Sequence, residues 1–384
     1  MKKEFAIVLI ALGLSCRVAS AQTSSAPPGS PPPQTVPFPT DAAQTWHDAP
    51  DHGAPWAFGA GNGEAGSGGH FEGGFEALII RPYFESNPAL TTRVFTNSTD
   101  FAFQNSNSAQ TNFDYPYTVN PRVWLGYVMD CGVGLRVGWW HFEQASTSQT
   151  LSQPTALPAG TTLSTSTPSL YGNNGLGIGT EIGGTTGTPY TLAVTSDLTL
   201  DVWDLEATAV YHAGGCIVEG SAGIRYAHIA QSFGAFSAES NLTAAGTGQS
   251  GTLIASHNFN GAGPTLATEV RHALGDMGLG VYANARAAIL FGDSYASGFD
   301  VVTTTTPGFA TARTADTFRS DHLGVIGVGE CEIGVEYSRK IGDSASAFVR
   351  AGIDGQIWLG AGSATSQNGA LGFFGYTVTL GVNY

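Results

Sequence analysis

Apolar and polar residues alternate with a period of two in many segments between residue 74 and the C-terminus. The last segment shows this most clearly, because every second residue is apolar or aromatic: Tyr376, Val378, Leu380, Val382 and Tyr384. Only Thr, Gly and Asn stand between them. Strict alternation of this kind predicts a β-strand with one apolar and one polar face. The pattern therefore predicts an all-β chain.

Charged residues keep to one register in several of these segments. In Trp203–Tyr211, Leu279–Phe291, Leu323–Tyr337 and Ala345–Leu359, no odd-numbered residue carries a charge. An Arg or Lys on the lipid face of a barrel costs about 2–4 kcal/mol at mid-bilayer, so a charge-free register is what a lipid-facing surface requires. Arg81 breaks this rule, and we place it at the outer rim, where the cost falls.

Counting these segments predicts ten strands, at residues 74–84, 115–129, 132–144, 191–212, 216–232, 257–272, 278–292, 319–338, 344–360 and 371–384. Short turns at 130–131, 213–215, 273–277 and 339–343 alternate with long connections at 85–114, 145–190, 233–256, 293–318 and 361–370. Outer-membrane barrels have short periplasmic turns and long extracellular loops. The prediction is an antiparallel transmembrane β-barrel of about ten strands over residues 71–384, in the outer membrane, with both termini periplasmic.

The residues before the barrel predict export. Lys2 and Lys3 precede the short apolar stretch Phe5–Leu14, and small residues follow at 19–21, which is the pattern of a cleaved signal peptide over residues 1–21. Residues 22–70 are rich in Pro, Gly, Ala and Ser, a composition that cannot build a core. They predict a disordered periplasmic linker, which is either a plain tether or a peptidoglycan contact.

Composition and charge exclude two classes of protein. Charged residues make up 12% of the chain, against about 25% in a typical soluble domain. The net charge of −15 becomes −17 when the signal peptide leaves with three bases and one acid, so nucleic acid is not a predicted partner, because phosphate binding needs a basic surface. No stretch after residue 21 holds about 18 consecutive apolar residues, which excludes a helical membrane protein.

The end of the chain and the cysteines predict partners and cofactors. A final apolar strand that ends in an aromatic residue is typical of the signal read by the barrel assembly machinery, so outer-membrane lipid and that machinery are predicted partners; a homo-oligomer stays open. Cys131, Cys216 and Cys331 remain after cleavage and permit one disulfide at most, or serve as small apolar wall residues. No metal-ligand spacing occurs, and no cofactor is predicted.

Four segments carry a resemblance to a known family. They are Arg122–Tyr127 (RVWLGY), Gly134–Trp139 (GLRVGW), Leu200–Glu206 (LDVWDLE) and Gly220–Ala227 (GSAGIRYA). With the aromatic C-terminus they resemble the Legionella-type pore-forming major outer-membrane protein family over most of residues 74–384. The resemblance implies a β-barrel and pore formation and carries no catalytic motif. The Pro-rich segment before residue 70 has no counterpart in it.

The charged register predicts a set of lumen-facing residues. They are Asp204, Glu206, Glu219, Arg225, Glu269, Arg271, Arg286, Glu330, Glu332, Glu336, Arg350 and Asp354, with Arg122 and Arg136 beside them. Acids outnumber bases in this set, and acidic linings favour cations. The hypothesis is therefore a weak cation preference. The alternative is that these residues only neutralise buried charge and fix the strand register.

Turn lengths predict which of these charges meet. A two-residue turn at 214–215 places Asp204 opposite Arg225. Centring the turn that precedes the ninth strand on residue 341 places Glu332 opposite Arg350. Opposite charges paired across strands contribute about 0.2–1 kcal/mol each, so both pairs are expected to support the register.

The strand count limits the width of the lumen. Eight strands give an interior filled by side chains and about 16–18 leave an aqueous channel. Inward glycines such as Gly223 would widen a ten-stranded lumen, and Trp140 and Trp358 would narrow it. The predicted function is a narrow pore or channel for small solutes or ions. The alternative is a structural or surface-interaction barrel, serving adhesion or envelope integrity through its long loops, with no open channel.

An enzyme is not predicted. No Gly-x-Ser-x-Gly motif occurs in the chain. His141 and His272 are candidates for lipid hydrolysis by register, but a histidine alone does not make a nucleophile–base pair. Both are interpreted as residues of the barrel rim.

Overall fold

The structure is a computed structural model. It describes residues 69–97, 104–153, 161–168, 170, 179–183, 190–213, 215–239, 248–306, 308–342 and 344–384. The predicted signal peptide and the predicted linker up to residue 68 lie outside this part of the chain.

Strands dominate the described residues. They are β1 (His70–Phe84), β2 (Pro88–Asn97), β3 (Gln104–Asn112), β4 (Thr118–Val128), β5 (Val133–Ala145), β6 (Gln149–Gln153), β7 (Thr161–Ser166), β8 (Gly179–Gly183), β9 (Tyr190–Ala213), β10 (Cys216–Glu239), β11 (Gly248–Ala273), β12 (Leu279–Thr305), β13 (Ala312–Ile341), β14 (Ala345–Leu359) and β15 (Ala370–Asn383).

Ten of these strands close into one ring. The order is β1-β4-β5-β9-β10-β11-β12-β13-β14-β15, and β15 pairs back with β1; all pairs are antiparallel. The predicted all-β fold and the predicted ten-strand ring are confirmed. Closure pairs every wall strand on both sides, which a bilayer demands because it offers backbone groups no other partner.

The outer surface carries the register predicted to face lipid. On β13, the side chains of Leu323, Val325, Ile333 and Val335 are all more than half exposed, at 83%, 57%, 60% and 54%. Aromatic residues mark two edges of this surface: on β9, Trp203 and Tyr211 lie eight residues apart, or about 26 Å along the strand. Because barrel strands tilt by about 35–45°, this spacing covers roughly 20 Å across the membrane, most of the apolar band of about 25 Å in outer-membrane barrels.

The final strand follows the same rule. The five predicted signal residues, Tyr376, Val378, Leu380, Val382 and Tyr384, point outward and are 44–71% exposed. Their register on β15 therefore agrees with a lipid-facing surface. Their role in recognition by the assembly machinery stays a prediction.

Two buried apolar clusters lie on the inner face. The inner core contains Leu78, Ile80, Trp140, Phe142, Leu198, Leu200, Val202, Ala227, Ile229, Phe259, Ala288, Leu290, Ile326, Val328, Trp358, Ala361, Leu371 and Phe373. The upper core, farther from the chain ends, contains Ala89, Leu90, Leu170, Leu192, Val194, Phe233, Ala235, Leu253, Ala255 and Ala364.

The strands from β9 to β13 are far longer than a membrane crossing needs. They contain 24 to 30 residues, whereas about 9–11 residues cross a bilayer as a strand. Long loops predicted at 233–256 and 293–318 are therefore wrong in extent, because strands continue through most of both. Their Ser/Thr/Gly-rich composition resembles loops, yet alternate residues such as Phe233, Ala235 and Leu253 are buried in the upper core.

Strands also occupy the first two predicted loops. Residues 85–114 contain β2 and β3, and residues 145–190 contain β6 to β8. Four of these strands form a second sheet with the order β3-β2-β7-β8, and β6 pairs with β9. The prediction of unstructured loops is wrong here because Thr-rich segments favour extended backbone. The predicted loop 361–370 contains a single bridge between Ser363 and Ser366.

The described part of the chain contains neither a membrane-spanning helix nor a disulfide. Within the described ranges, no helix is long and apolar enough to cross a bilayer. Cys131, Cys216 and Cys331 are all free thiols. The disulfide that the sequence left open is therefore not formed.

Replacing Ile333 by Arg should destabilise the folded barrel in lipid. Ile333 lies near the middle of the outer apolar band on β13 and is 60% exposed, so the guanidinium would enter hydrocarbon at a cost of about 2–4 kcal/mol. The free energy of unfolding by urea from lipid vesicles measures this. The control Leu279→Arg, at the first residue of β12, should cost about 0–1 kcal/mol. Equal losses would contradict the assigned lipid face.

Candidate functional site: the charged lumen

All twelve predicted lumen residues point to the inside of the ring. Glu206, Arg225 and Asp354 are the most buried, at 1% exposure each. The twelve are distributed over six strands: Asp204 and Glu206 on β9, Glu219 and Arg225 on β10, Glu269 and Arg271 on β11, Arg286 on β12, Glu330, Glu332 and Glu336 on β13, and Arg350 and Asp354 on β14. The charged face that the period-two alternation defines is therefore the inward face.

Ten of these residues and Arg136 form one continuous network of ion pairs, which we call the charged belt. It begins at Glu336, which accepts a 2.7 Å hydrogen bond from Nε of Arg350. Nη2 of Arg350 lies 2.8 Å from Glu269, and Glu269 also accepts from Arg271. Arg271 donates onward to Glu219 at 2.8 Å. Acid and base therefore alternate across β11, β13 and β14.

The belt continues around the opposite wall through Arg136. This guanidinium joins Glu219 at 2.6 Å to Glu206 at 3.1 Å. Glu206 also accepts from Arg286, which lies 3.5 Å from both Asp204 and Glu330. Each arginine bridges at least two carboxylates, which compensates for the desolvation of buried charge.

Arg225 completes the belt. Its Nε and Nη2 donate to the two oxygens of Asp204 at 2.8 and 2.9 Å, and its Nη1 donates to Glu330. This fork-to-fork geometry is the strongest form of an Arg–carboxylate pair. The predicted pairing of Asp204 with Arg225 is confirmed, since Ala213 pairs with Cys216 as the two-residue turn requires.

The predicted pairing of Glu332 with Arg350 is wrong. Arg350 lies opposite Glu336, and Glu332 lies opposite Asp354. The physical reason is the turn: Ile341 pairs with Ala345, and Gly342 has a positive φ of 80°. The true register differs from the prediction by four residues. Because four is even, every side chain kept its predicted face and only the partners changed.

Glu332 uses uncharged partners instead. It accepts hydrogen bonds from the hydroxyls of Tyr282 at 2.6 Å and Thr377 at 2.9 Å. Asp354 accepts a 3.1 Å hydrogen bond from Nε2 of Gln356. These two acids therefore lie outside the charged belt, and their hydrogen bonds come from uncharged donors.

The sequence analysis missed two acids on β1. Glu76 pairs with Arg122 at 3.1 Å, and Glu72 lies beside Gly126 on the inner face. The inner register of β1 also contains Leu78 and Ile80, so both faces of this strand read as apolar and its inner face was not assigned. β1 pairs with the last strand, whose inward and outward faces were clear from the sequence. That pairing would have identified the inward face of β1.

A small cavity lies within the charged belt. Its volume is about 110 Å³, room for several water molecules at a minimum of about 10–15 Å³ each. It is lined by acids and arginines of the belt and by Glu72, Glu76, Arg122 and Trp140. Nη2 of Arg122 and Nε1 of Trp140 are buried and have no partner among the described residues. Both donors would be satisfied by an acceptor in the cavity.

The inner core closes the lumen on the loop side of this cavity. Trp140 and Trp358, which were predicted to narrow the lumen, have ring centroids 6.4 Å apart, and Phe373 packs edge-on against Trp140 at 6.0 Å. Trp140 is 2% exposed and Trp358 is fully buried. We call these three rings with Phe142 the aromatic cap. At this level the barrel interior is filled with side chains.

Gly223, one of the glycines predicted to widen the lumen, is required for a second reason. A Cβ at this position would lie 2.0 Å from the carbonyl oxygen of Leu205 on the neighbouring strand. Glycine is therefore required by the close approach of the β9 and β10 backbones.

The family follows from a comparison with known sequences. A model of the family described as the Legionella pneumophila major outer membrane protein precursor matches residues 68–381. The chain belongs to this family. The resemblance seen in the sequence is confirmed, and this family member is an outer-membrane β-barrel protein. No curated protein matches it.

The solved structures to which this chain is similar are remote. The outer membrane protease OmpT from Escherichia coli is 6% identical, with a TM-score of 0.34 over 82% of this chain and 96% of that chain. The Ralstonia pickettii toluene transporter TbuX is 9% identical, with a TM-score of 0.20 over 83% and 90%. A Pseudomonas aeruginosa FadL homologue is 8% identical, with a TM-score of 0.22 over 82% and 90%. Similarity this low supports no inference about function.

The two candidate histidines lie on the outer surface, away from the lumen. Nδ1 of His141 lies 2.7 Å from Asp201, and its ring stacks on Trp139. Nδ1 of His272 lies 3.4 Å from the thiol of Cys216. Within the described residues, no cluster of three or more His, Cys, Asp and Glu side chains is arranged to hold a metal ion.

A double-mutant cycle should distinguish the observed register from the predicted one. Glu336→Gln and Arg350→Gln each break a buried pair, at a cost of about 3–5 kcal/mol, and the double variant should lose less than the sum. The matched cycle with Glu332→Gln and Arg350→Gln should show a smaller coupling. The free energy of unfolding in lipid vesicles measures both. Stronger coupling of Arg350 to Glu332 would contradict the register.

Proposed function

We propose that this family member forms a narrow, gated pathway for small ions across the outer membrane and prefers cations. The observation that carries the proposal is the cavity of about 110 Å³ inside the charged belt. A barrel needs no buried charge for stability, because apolar residues of similar volume fill an interior at equal or lower cost. A lumen that keeps its charges is therefore suited to solvating an ion.

The excess of acids supports the cation preference. Ten acids and six arginines of the described residues lie on the inner face at and next to the charged belt: Glu72, Glu76, Asp204, Glu206, Glu219, Glu269, Glu330, Glu332, Glu336 and Asp354, with Arg122, Arg136, Arg225, Arg271, Arg286 and Arg350. An acidic lining lowers the energy of a cation relative to an anion. The small cavity excludes large solutes, so the proposal is not a general porin.

The aromatic cap is the proposed gate. Trp140, Trp358 and Phe373 seal the lumen with apolar rings, and hydrophobic constrictions gate channels by excluding water. An open state then requires these rings to change rotamer. The charged belt below them stays in place because its pairs connect several strands.

A structural barrel is the second candidate. The full burial of Trp358 and the packing of the inner core favour it, since a permanently filled interior conducts nothing. In that case the long strands and the second sheet supply a surface for contacts outside the membrane. Conductance separates the two candidates.

The proposal places both ends of the barrel in the periplasm. Backbone groups of Phe71 and Tyr384 exchange two hydrogen bonds, at 2.7 and 2.8 Å, so the described N-terminal end and the C-terminus meet at the rim of the short turns. Short turns are periplasmic in barrels of this class. The cap and the second sheet then face outward from the cell.

The proposal assigns no catalytic activity to the chain. Neither His141 nor His272 hydrogen-bonds to a serine hydroxyl among the described residues. A nucleophile–base pair needs such a contact. The outer-surface histidines are therefore assigned to the rim.

Replacing Trp358 by Ala should raise the single-channel conductance of the refolded protein in a planar bilayer. Removal of this buried indole leaves a gap in the aromatic cap through which water can reach the charged belt. The matched control is Trp203→Ala, which removes an indole that is 50% exposed on the lipid face and should leave conductance unchanged. If wild type and Trp358→Ala are both silent, the structural alternative is correct.

Neutralising Glu72 should weaken cation selectivity. Glu72 lines the cavity and forms no salt bridge to a described residue, so Glu72→Gln removes charge without leaving an arginine unpaired. Reversal potentials in asymmetric KCl should shift toward zero, measured in the Trp358→Ala background. Glu143→Gln is the control, because that carboxylate is 75% exposed on the outer wall. Anion preference in the parent would overturn the proposal.

A further inference from the structure

We propose that Arg81 forms a binding site for the phosphate of a glycolipid headgroup on the outer wall of the barrel. The site is Arg81 with the rings of Tyr83 and Tyr117, which line the loop-side end of β1. It is separate from the lumen, and its assignment to the outer leaflet rests on the orientation given under the proposed function.

The position of Arg81 places it at the headgroup level. It lies in the outward register of β1, whereas Glu76, Leu78 and Ile80 point inward. Ile79 pairs with Tyr376, an outward aromatic residue at the loop-side end of the apolar register of β15, so Arg81 lies two residues beyond that level, about 7 Å along the strand. A cation there escapes most of the cost of the hydrocarbon region.

Two tyrosines hold the guanidinium in place. Its carbon lies 4.6 Å from the ring centroid of Tyr83 and 5.2 Å from that of Tyr117, within the distance of cation–π attraction. Nε of Arg81 donates to the hydroxyl of Tyr83. The Tyr117 ring in turn packs near Tyr376, with centroids 6.5 Å apart. The side chain is thus fixed before any ligand binds.

The remaining donors of Arg81 are free for a ligand. Among the described residues, neither Nη1 nor Nη2 makes a hydrogen bond, and Nη1 lies 3.9 Å from Asp114, beyond hydrogen-bond distance. The Asp114 carboxylate is 82% exposed, so water already solvates it. A planar guanidinium with two open Nη groups matches the geometry of a phosphate, which accepts two parallel hydrogen bonds.

The environment selects a lipid-borne phosphate. The apolar band lies immediately on one side of Arg81, and the loop-side solvent lies on the other. A phosphorylated glycolipid places its acyl chains along the band and its phosphate at the level of Arg81. Tyrosine hydroxyls and rings at this interface suit sugar and acyl groups respectively.

The test measures binding of diphosphorylated lipid A to the refolded full chain in neutral phosphatidylcholine nanodiscs. Arg81→Gln should weaken binding about tenfold, the loss of one charge-assisted contact. Asp114→Asn should tighten binding, because it removes the carboxylate that lies nearest to Arg81 among the described residues. Arg319→Gln is the matched control: Arg319 also lies over a tyrosine ring, that of Tyr295 at 5.0 Å, but on the extension of β13. It should bind as the parent does.

Specificity is measured with dephosphorylated lipid A and with phosphatidylglycerol. Parent and Arg81→Gln should bind dephosphorylated lipid A equally, and the parent should prefer lipid A to phosphatidylglycerol. Equal binding of lipid A by parent and Arg81→Gln overturns the proposal, as does an equal loss in Arg319→Gln or a preference for phosphatidylglycerol. If Arg81→Gln fails to reach the folded electrophoretic mobility, Asp114→Asn decides. The test measures lipid binding and not conductance, so its outcome does not depend on the proposed ion pathway.

Discussion

The bilayer offers backbone amides and carbonyls no hydrogen-bond partner, and the whole architecture depends on this constraint. An unsatisfied backbone group in hydrocarbon costs several kcal/mol, so the wall strands pair on both sides and the ring closes between β15 and β1. Closure with ten strands fixes the diameter, and the diameter decides what the interior can hold. The outer register is then left to apolar side chains, and only the inner register is free to vary.

The inner register contains two contrasting environments, one of charged groups and one of aromatic rings. Charged groups fill the part of the lumen nearest the short turns, and the aromatic cap fills the part on the loop side. The charges are tolerated because each arginine of the belt contacts two or more carboxylates, as Arg225 does with Asp204 and Glu330. The rings are tolerated because water has no room between them. At the boundary between the two environments, Nη2 of Arg122 and Nε1 of Trp140 are buried without a partner among the described residues.

The sequence predicted faces better than partners. In a β-strand each side chain can point to only one of two faces, so the segregation of charge to one register was sufficient to place all twelve lumen residues inward. Partner identity depends on turn length, and the prediction centred the turn near Ile341 two residues too early. The ends of β10 to β13 were missed for another reason: Ser and Thr suit both loops and strands, and only burial against Leu253 or Phe233 selects the strand. The acids of β1 were missed because Leu78 and Ile80, which also point inward, made both faces of that strand read as apolar.

The unequal heights of the wall strands have a consequence for dynamics. One half of the ring continues for more than ten residues past the apolar band, while β1, β4, β5, β14 and β15 end near it. The backbone hydrogen bonds of one strand pair therefore continue from the bilayer into water. Lipid offers no substitute partner for a broken bond, but water does, so each bond in water contributes only about 0.5–1.5 kcal/mol net. Fraying is confined to the watery end, so amide exchange should grade along a single strand such as β12, fast at Thr305 and slow at Ala285.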